Sequence, residues 1–253
     1  LILPYLEKKK YSFADDPTPS AVWAFPYAGA GRLWPTINGM ASLLERPQVW
    51  LNDEHYRGLK ENSYESLIKN RQNRLEKTID LLDNYQCLMF HHGYYKLDNI
   101  STKCIKLLVL IRDPRDIYLS RSFRALGGFD EEFIEDLMLN GDMHVLPNLY
   151  DMLRQFEIVN KSHNMYAISF EDINEKPYET YTKAMDWLGW LPSQFNSDLE
   201  IKSELNKLIT QALPSNQKKE HHHRGSIRSG KSGNWKEYWT PKLTTIFNTI
   251  STT

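Results

Sequence analysis

Short apolar runs alternate along the chain with stretches whose apolar residues recur every three or four positions. "AVWAFPYAGAG" (21–31) is an apolar run closed by a Gly/Ala turn, the pattern of a buried strand entering a loop. "RLWPTINGMASLLE" follows as a helix whose regular part is expected to begin at Pro35 or later. "PQVWLND" (47–53) and "CLMFHHG" (87–93) are two further strands. Between them, 63–85 has helical spacing at Leu67, Leu75, Ile79 and Leu82. "CIKLLVLIRD" (104–113) is apolar throughout, as a strand buried on both faces should be. Helical patterns dominate 116–160, broken near 126–128, and "MYAISFEDI" (165–173) is a fifth strand. Helices over 177–191, with Pro first and Gly189 near the end, and over 196–213 complete the pattern. No internal repeat is visible.

Strands alternating with helices predict an α/β fold of three layers, with a mostly parallel central sheet flanked by helices. A single domain over 1–253 is expected. In such sheets ligands bind beyond the carboxyl ends of the strands. Four features fall there: the Gly/Ala loop, two histidines, an "RDPRD" turn and "FED".

Composition changes this picture little. Apolar residues make up 41% of the 253, and 31 basic residues face 32 acidic ones for a net charge of −1. Nucleic-acid binding is therefore not expected. Cys87 and Cys104 are too few for a disulfide framework and read as buried reduced thiols. No run approaches the roughly 20 apolar residues of a membrane span. The stretch "LILPYLEKKK" lacks the order of a secretion signal. A cytoplasmic setting without membrane contact is the expectation, and assembly as a homodimer stays open.

Each strand-end motif has a chemical and a plain structural reading. In "FPYAGAGRLW" (25–34), small residues let backbone N–H groups approach an anion, and the following helix adds its positive end. The GK[ST] ending of a nucleotide triphosphatase loop is missing, and a tight structural turn is as good an account. In "IRDPRDIYLS", Arg112 offers a planar fork to an oxyanion and Ser120 a hydroxyl beside it. The plain reading is a charged turn in which Asp113 and Asp116 pair with Arg115. "IRSGKSGNW" (227–235) brings Arg228, Ser229 and Lys231 close together, as a basic loop or a linker. "HHHR" (221–224) does not suit a metal, because consecutive histidines cannot face one tetrahedral ion. His91 and His92 point to opposite faces of their strand, so one can act as a base while the other is structural.

In this order the motifs resemble the 3′-phosphoadenylyl-sulfate-dependent sulfotransferases, from about residue 20 to 240. "VLIRDPRDIYLSRSF" looks like that family's 3′-phosphate motif, with Arg112 and Ser120 at its spacing. "RSGKSGNWKEYWT" looks like its closing loop, matched by Arg228, Gly230, Gly233 and Trp235. "FEDI" resembles its "YEDL", which places Phe170 near an adenine, and "FHHG" aligns His92 with its catalytic histidine. The resemblance implies a P-loop-like sulfotransferase fold and a sulfuryl group passed from 3′-phosphoadenylyl sulfate. The acceptor would be a hydroxyl or amine of a small molecule, and adenosine 3′,5′-bisphosphate would remain. It implies binding of that nucleotide by Tyr27, Ala28, Gly29, Ala30, Gly31, Arg32, Arg112, Ser120, Phe170, Arg228, Ser229 and Gly230, with no metal.

One departure stands out. The family's "PKSGTTW" reads "PYAGAGR" here, so its lysine becomes Tyr27, which offers only a neutral donor. Arg32 is the candidate replacement for the missing charge. The expected catalytic set is thus His92, His91, Arg32 and Tyr27. For the acceptor, 51–58, 91–98 and 126–144 are candidates. In the last, Asp130, Glu131, Glu132, Glu135, Asp136 and Asp142 suggest an acid-lined pocket for a cationic natural product, or else a solvated face. A small-molecule kinase of related fold and a non-catalytic nucleotide-binding protein are the alternatives.

Overall fold

A computed structural model describes residues 18–43, 46, 48–51, 64–83, 86–91, 96–97, 100, 105–142, 146–191, 199–212 and 231–252. Five strands form one sheet: β1 (Ser20–Ala24), β2 (Gln48–Leu51), β3 (Cys87–His91), β4 (Lys106–Ile111) and β5 (Met165–Ser169). Their spatial order is β2-β3-β1-β4-β5, and every pairing is parallel. β1 and β4 are the most apolar strands and lie inside the sheet, each between two others, with both faces covered. The covering helices are α1 (Ala30–Leu43), α2 (Tyr64–Asp80), α3 (Pro114–Leu126), α4 (Glu131–Asn140), α5 (Leu149–Lys161), α6 (Phe170–Glu175), α7 (Pro177–Leu188), α8 (Leu199–Gln211) and α9 (Pro241–Ser251).

The strands follow the hydrophobic pattern closely, but two boundaries differ from the sequence expectation. α1 begins at Ala30, five residues before Pro35, which lies inside the helix. An internal proline removes one helical hydrogen bond and costs about 3 kcal/mol. Burial of Leu33, Trp34, Ile37, Met40 and Ala41 in the hydrophobic core offsets that cost. The fifth strand ends at Ser169 rather than near 173. The Ser169 hydroxyl accepts the Asp172 N–H at 2.9 Å and so caps α6, which turns Phe170 and Glu171 into a helix.

Because β1 lies between β3 and β4, the chain crosses over it, and the switch point at which such sheets bind ligands falls at its carboxyl end. Ala24 of β1 stands level with His91 of β3 and Leu110 of β4, and Ile111 with Ser169 of β5. The carboxyl ends of β1, β3, β4 and β5 therefore lie together at one end of the sheet. Among the described residues, no helix is long and apolar enough to cross a membrane.

Candidate functional site

Beyond β1 the chain turns through Phe25–Gly29 into α1. Tyr27 has φ +60° and Gly29 φ +98°. A side-chain-bearing residue in the left-handed region costs about 1–3 kcal/mol and persists only where its surroundings hold it. Two arginines hold Tyr27. Arg112 Nη1 donates to its carbonyl oxygen at 3.3 Å, and Arg121 Nη1 donates to its hydroxyl at 3.3 Å. At Gly29, a Cβ would lie 2.3 Å from both Cδ2 and Cε2 of Phe170, so only glycine lets this loop lie against that ring. Ala28 is buried and its amide donates to the Phe25 carbonyl at 3.0 Å, and Ala30 and Gly31 open α1, where the Arg32 amide donates to the Gly29 carbonyl at 2.9 Å. A Cβ on Gly31 would meet nothing within 4 Å. The positive end of α1 and the open space at Gly31 make this cradle suited to an anion.

Beyond β4, Asp113 caps α3 by accepting the Arg115 N–H at 2.9 Å, and Pro114 is the first helical residue. The eight-residue spacing brings the Ser120 hydroxyl to 3.4 Å from Arg112 Nη1. Arg112 Nη2 donates to the Lys231 carbonyl at 2.9 Å and lies 3.6 Å from Asp116. Its guanidinium carbon sits 4.5 Å from the centre of the Phe170 ring. Arg112 is thus the point where the first loop, α3, α6 and the C-terminal segment meet.

Asp113 does pair with Arg115, at 2.7 Å, but Asp116 does not, contrary to the plain reading of this turn. Asp116 is fully buried and accepts the Gly233 N–H at 2.6 Å and the Trp235 N–H at 3.0 Å. Arg115 lies 3.5 Å over the Trp235 ring. These contacts fasten the residues from Lys231 onward against α3. Glu171 accepts the Asp113 N–H at 3.3 Å. Burial pushes its carboxyl above the usual range, while hydrogen bonds and nearby Arg112 pull the other way.

Arg32 is 7% exposed, and its guanidinium lies 5.9 Å from the centre of the Phe170 ring. Burial lowers its pKa. Its backbone carbonyl accepts the Tyr181 hydroxyl at 2.7 Å. The cation beside the Tyr27 hydroxyl is Arg121, which the sequence reading did not single out. Arg121 is held by Asp142 through Nε at 2.6 Å and Nη2 at 2.5 Å. No pattern in the chain joins residues 27, 121 and 142, so only the fold reveals them.

Several carboxylates of the acidic segment have partners within the fold. Asp130 caps α4, Glu135 pairs with Lys242 at 2.5 Å, and Asp136 accepts from Asn140 at 2.8 Å. With Asp142 on Arg121, four carboxylates of the segment are so engaged. His91 ends β3, whereas His92, Arg228, Ser229 and Gly230, and most of 51–58 and 91–98, lie outside the described residues. Among the described residues, no group of three or more His, Cys, Asp or Glu is placed to hold a metal.

A family model described as a sulfotransferase domain matches residues 26–252, nearly the whole chain, and the chain belongs to that family. It is a sulfotransferase, which sets the kinase alternative aside. The fold is likewise similar to that of mouse sulfotransferase SULT7A1 complexed with PAP. The TM-score is 0.62 at 18% identity, over 95% of this chain and 85% of that one. A retinol dehydratase in complex with androsterone and inactive cofactor PAP gives 0.59 at 14%, over 96% and 82%. No curated protein matches the chain by sequence.

Proposed function

We propose that the protein transfers a sulfuryl group from 3′-phosphoadenylyl sulfate to a hydroxyl or amine of a small molecule, leaving adenosine 3′,5′-bisphosphate. The observation that carries this is the convergence on Arg112 of Ser120, the Tyr27 loop, Phe170 and the Lys231 carbonyl. A guanidinium and a hydroxyl held together beside an aromatic ring suit a nucleotide's phosphate and base. The 27–32 cradle, one loop away, suits a second phosphate. When bound, the donor supplies the activated sulfuryl group. The chain's part is to fix both phosphates, hold the transferring group in line with the acceptor and place donors where charge develops. His92 follows β3 and takes the acceptor's proton in this reading, a contribution of about 10²–10⁴-fold. One domain over 1–253 does the work without a metal. The free, buried thiol of Cys87 suits a reducing cytoplasm.

Calorimetric titration with adenosine 3′,5′-bisphosphate, beside ATP and AMP, is the test. Selective binding of the bisphosphate, weakened about 10- to 100-fold in Arg112→Ala, is expected for the loss of a charged hydrogen bond. Equal binding of ATP, or none of the bisphosphate, refutes the reading.

A further inference from the structure

We infer that Arg121 is a positioning residue for sulfuryl transfer. Clamped by Asp142, it takes up the acceptor side of the Tyr27 hydroxyl and leaves that O–H aimed at the donor in the place of the family's lysine. The inference rests on the donor site proposed above.

The argument starts from what each group is able to do. A guanidinium only donates, so in the 3.3 Å contact with Arg121 the Tyr27 oxygen accepts. The hydroxyl's own proton must then point elsewhere. With the oxygen's acceptor side occupied by Arg121, the hydroxyl is left to give its proton to an anion. Arg121 cannot swing away freely, because Asp142 grips it through two nitrogens. Tyr27 is equally constrained. Its backbone is held at φ +60° by Arg112, its ring packs against the core, and the Arg121 guanidinium carbon lies 5.8 Å from the ring centre. A bulky residue in strained backbone, tied to one arginine at each end, is costly unless its side chain must sit there.

In the reaction, the acceptor oxygen forms a bond to sulfur as the bond from sulfur to the bridging oxygen breaks. The electron pair of that bond stays on the 5′-phosphate oxygen, and the acceptor's proton goes to the base. The Tyr27 O–H meets the charge developing on the departing oxygen, and Arg121 supplies the field behind it. Arg32, turned to Phe170, is left to the nucleotide side.

The test combines a spectrum with a rate. Tyrosine labelled with ¹³C at Cζ gives a Tyr27 signal assigned by its loss in Tyr27→Phe. Adenosine 3′,5′-bisphosphate is expected to move it in the wild type, and to move it by less than half as much in Arg121→Met at matched saturation. The rate of bisphosphate release from 3′-phosphoadenylyl sulfate, with 2-naphthol added, is expected to fall about 10²-fold in Tyr27→Phe and about tenfold in Arg121→Met. Arg121→Lys should recover part of the loss, and Arg121→Met should add nothing in the Tyr27→Phe background. Thermal melts confirm that each variant is folded, and Asp142→Asn serves as a second variant should Arg121→Met fail to fold. Bisphosphate binding with an unmoved Tyr27 signal, or full additivity of the two substitutions, overturns the role of Arg121 alone. Absence of bisphosphate binding to the wild type overturns the donor site, and this inference with it.

Discussion

Replacing Asp116 by alanine isolates the fastening of the C-terminal segment. The carboxylate is fully buried, accepts backbone N–H groups of Gly233 and Trp235, and lies 3.6 Å from Arg112. Its removal strands two half-buried donors and takes one of the carboxylates from beside a buried guanidinium. Charged hydrogen bonds contribute about 1.5–3 kcal/mol each, and breaking a buried ion pair costs about 3–5 kcal/mol. The three contacts share one carboxylate and do not add independently, so about 3–5 kcal/mol is the expected loss. For a chain of this size each kcal/mol shifts the midpoint by about 2–4 °C, so Tm should fall by about 6–20 °C. Asp116→Asn keeps one acceptor oxygen and should fall between. Limited trypsin digestion supplies a local readout, because release lets the backbone at the exposed Lys231 and Lys236 adapt to the protease. Cleavage there should speed up at temperatures where the rest of the chain stays folded. A Tm change below about 2 °C with unaltered cleavage would refute the assignment of Asp116 as the fastening group.

Other substitutions probe separate parts of the fold. Gly29→Ala places a methyl 2.3 Å from the Phe170 ring on left-handed backbone. It should cost about 1–3 kcal/mol in urea denaturation and abolish bisphosphate binding, with Phe170→Leu restoring part of the stability. Tyr181→Phe deletes the 2.7 Å bond to the Arg32 carbonyl and should cost about 1–2 kcal/mol by thermal melt. Burial pushes the Cys87 thiol from about 9 up to about 12. The unfolded thiol therefore ionises first, so its contribution to stability is intact below about pH 9 and declines by about 1.4 kcal/mol per pH unit as pH rises toward 12. Denaturation between pH 8 and 10.5 should show this slope, and Cys87→Ala should flatten it.

Local patterns were legible in the sequence, and long-range ones were not. β1 and β4 announced themselves because a strand covered on both faces must be apolar at every position. The pairing of Arg112 with Ser120 was legible because a strand end and two helical turns set their distance. The start of α1 was misjudged because tertiary packing outweighed the local penalty of Pro35. The end of β5 was misjudged because "SFED" serves both as strand sequence and as a capped helix start. Asp116 was read as a partner of Arg115 because its true partners lie 117 and 119 residues away. Arg121 escaped notice for the same reason, its contact with Tyr27 spanning 94 residues.

Those separations bear on how the molecule is made. Arg112 touches segments 85 and 119 residues distant in opposite directions along the chain. Closing such long loops is slow, and no gain comes until both ends have arrived. On the ribosome, β1, β3 and β4 can assemble once the chain has passed Ile111, while the Lys231 carbonyl and the amides of Gly233 and Trp235 are still to be synthesised. At about 5–20 residues per second, that interval lasts several seconds to some tens of seconds. During it, Arg112 has the Tyr27 carbonyl, the Ser120 hydroxyl and Asp116 within reach, while the amides that Asp116 accepts are still missing. The segment from Lys231 onward therefore reaches Arg112 after the sheet has formed, and the proposed nucleotide site is complete only once it has docked.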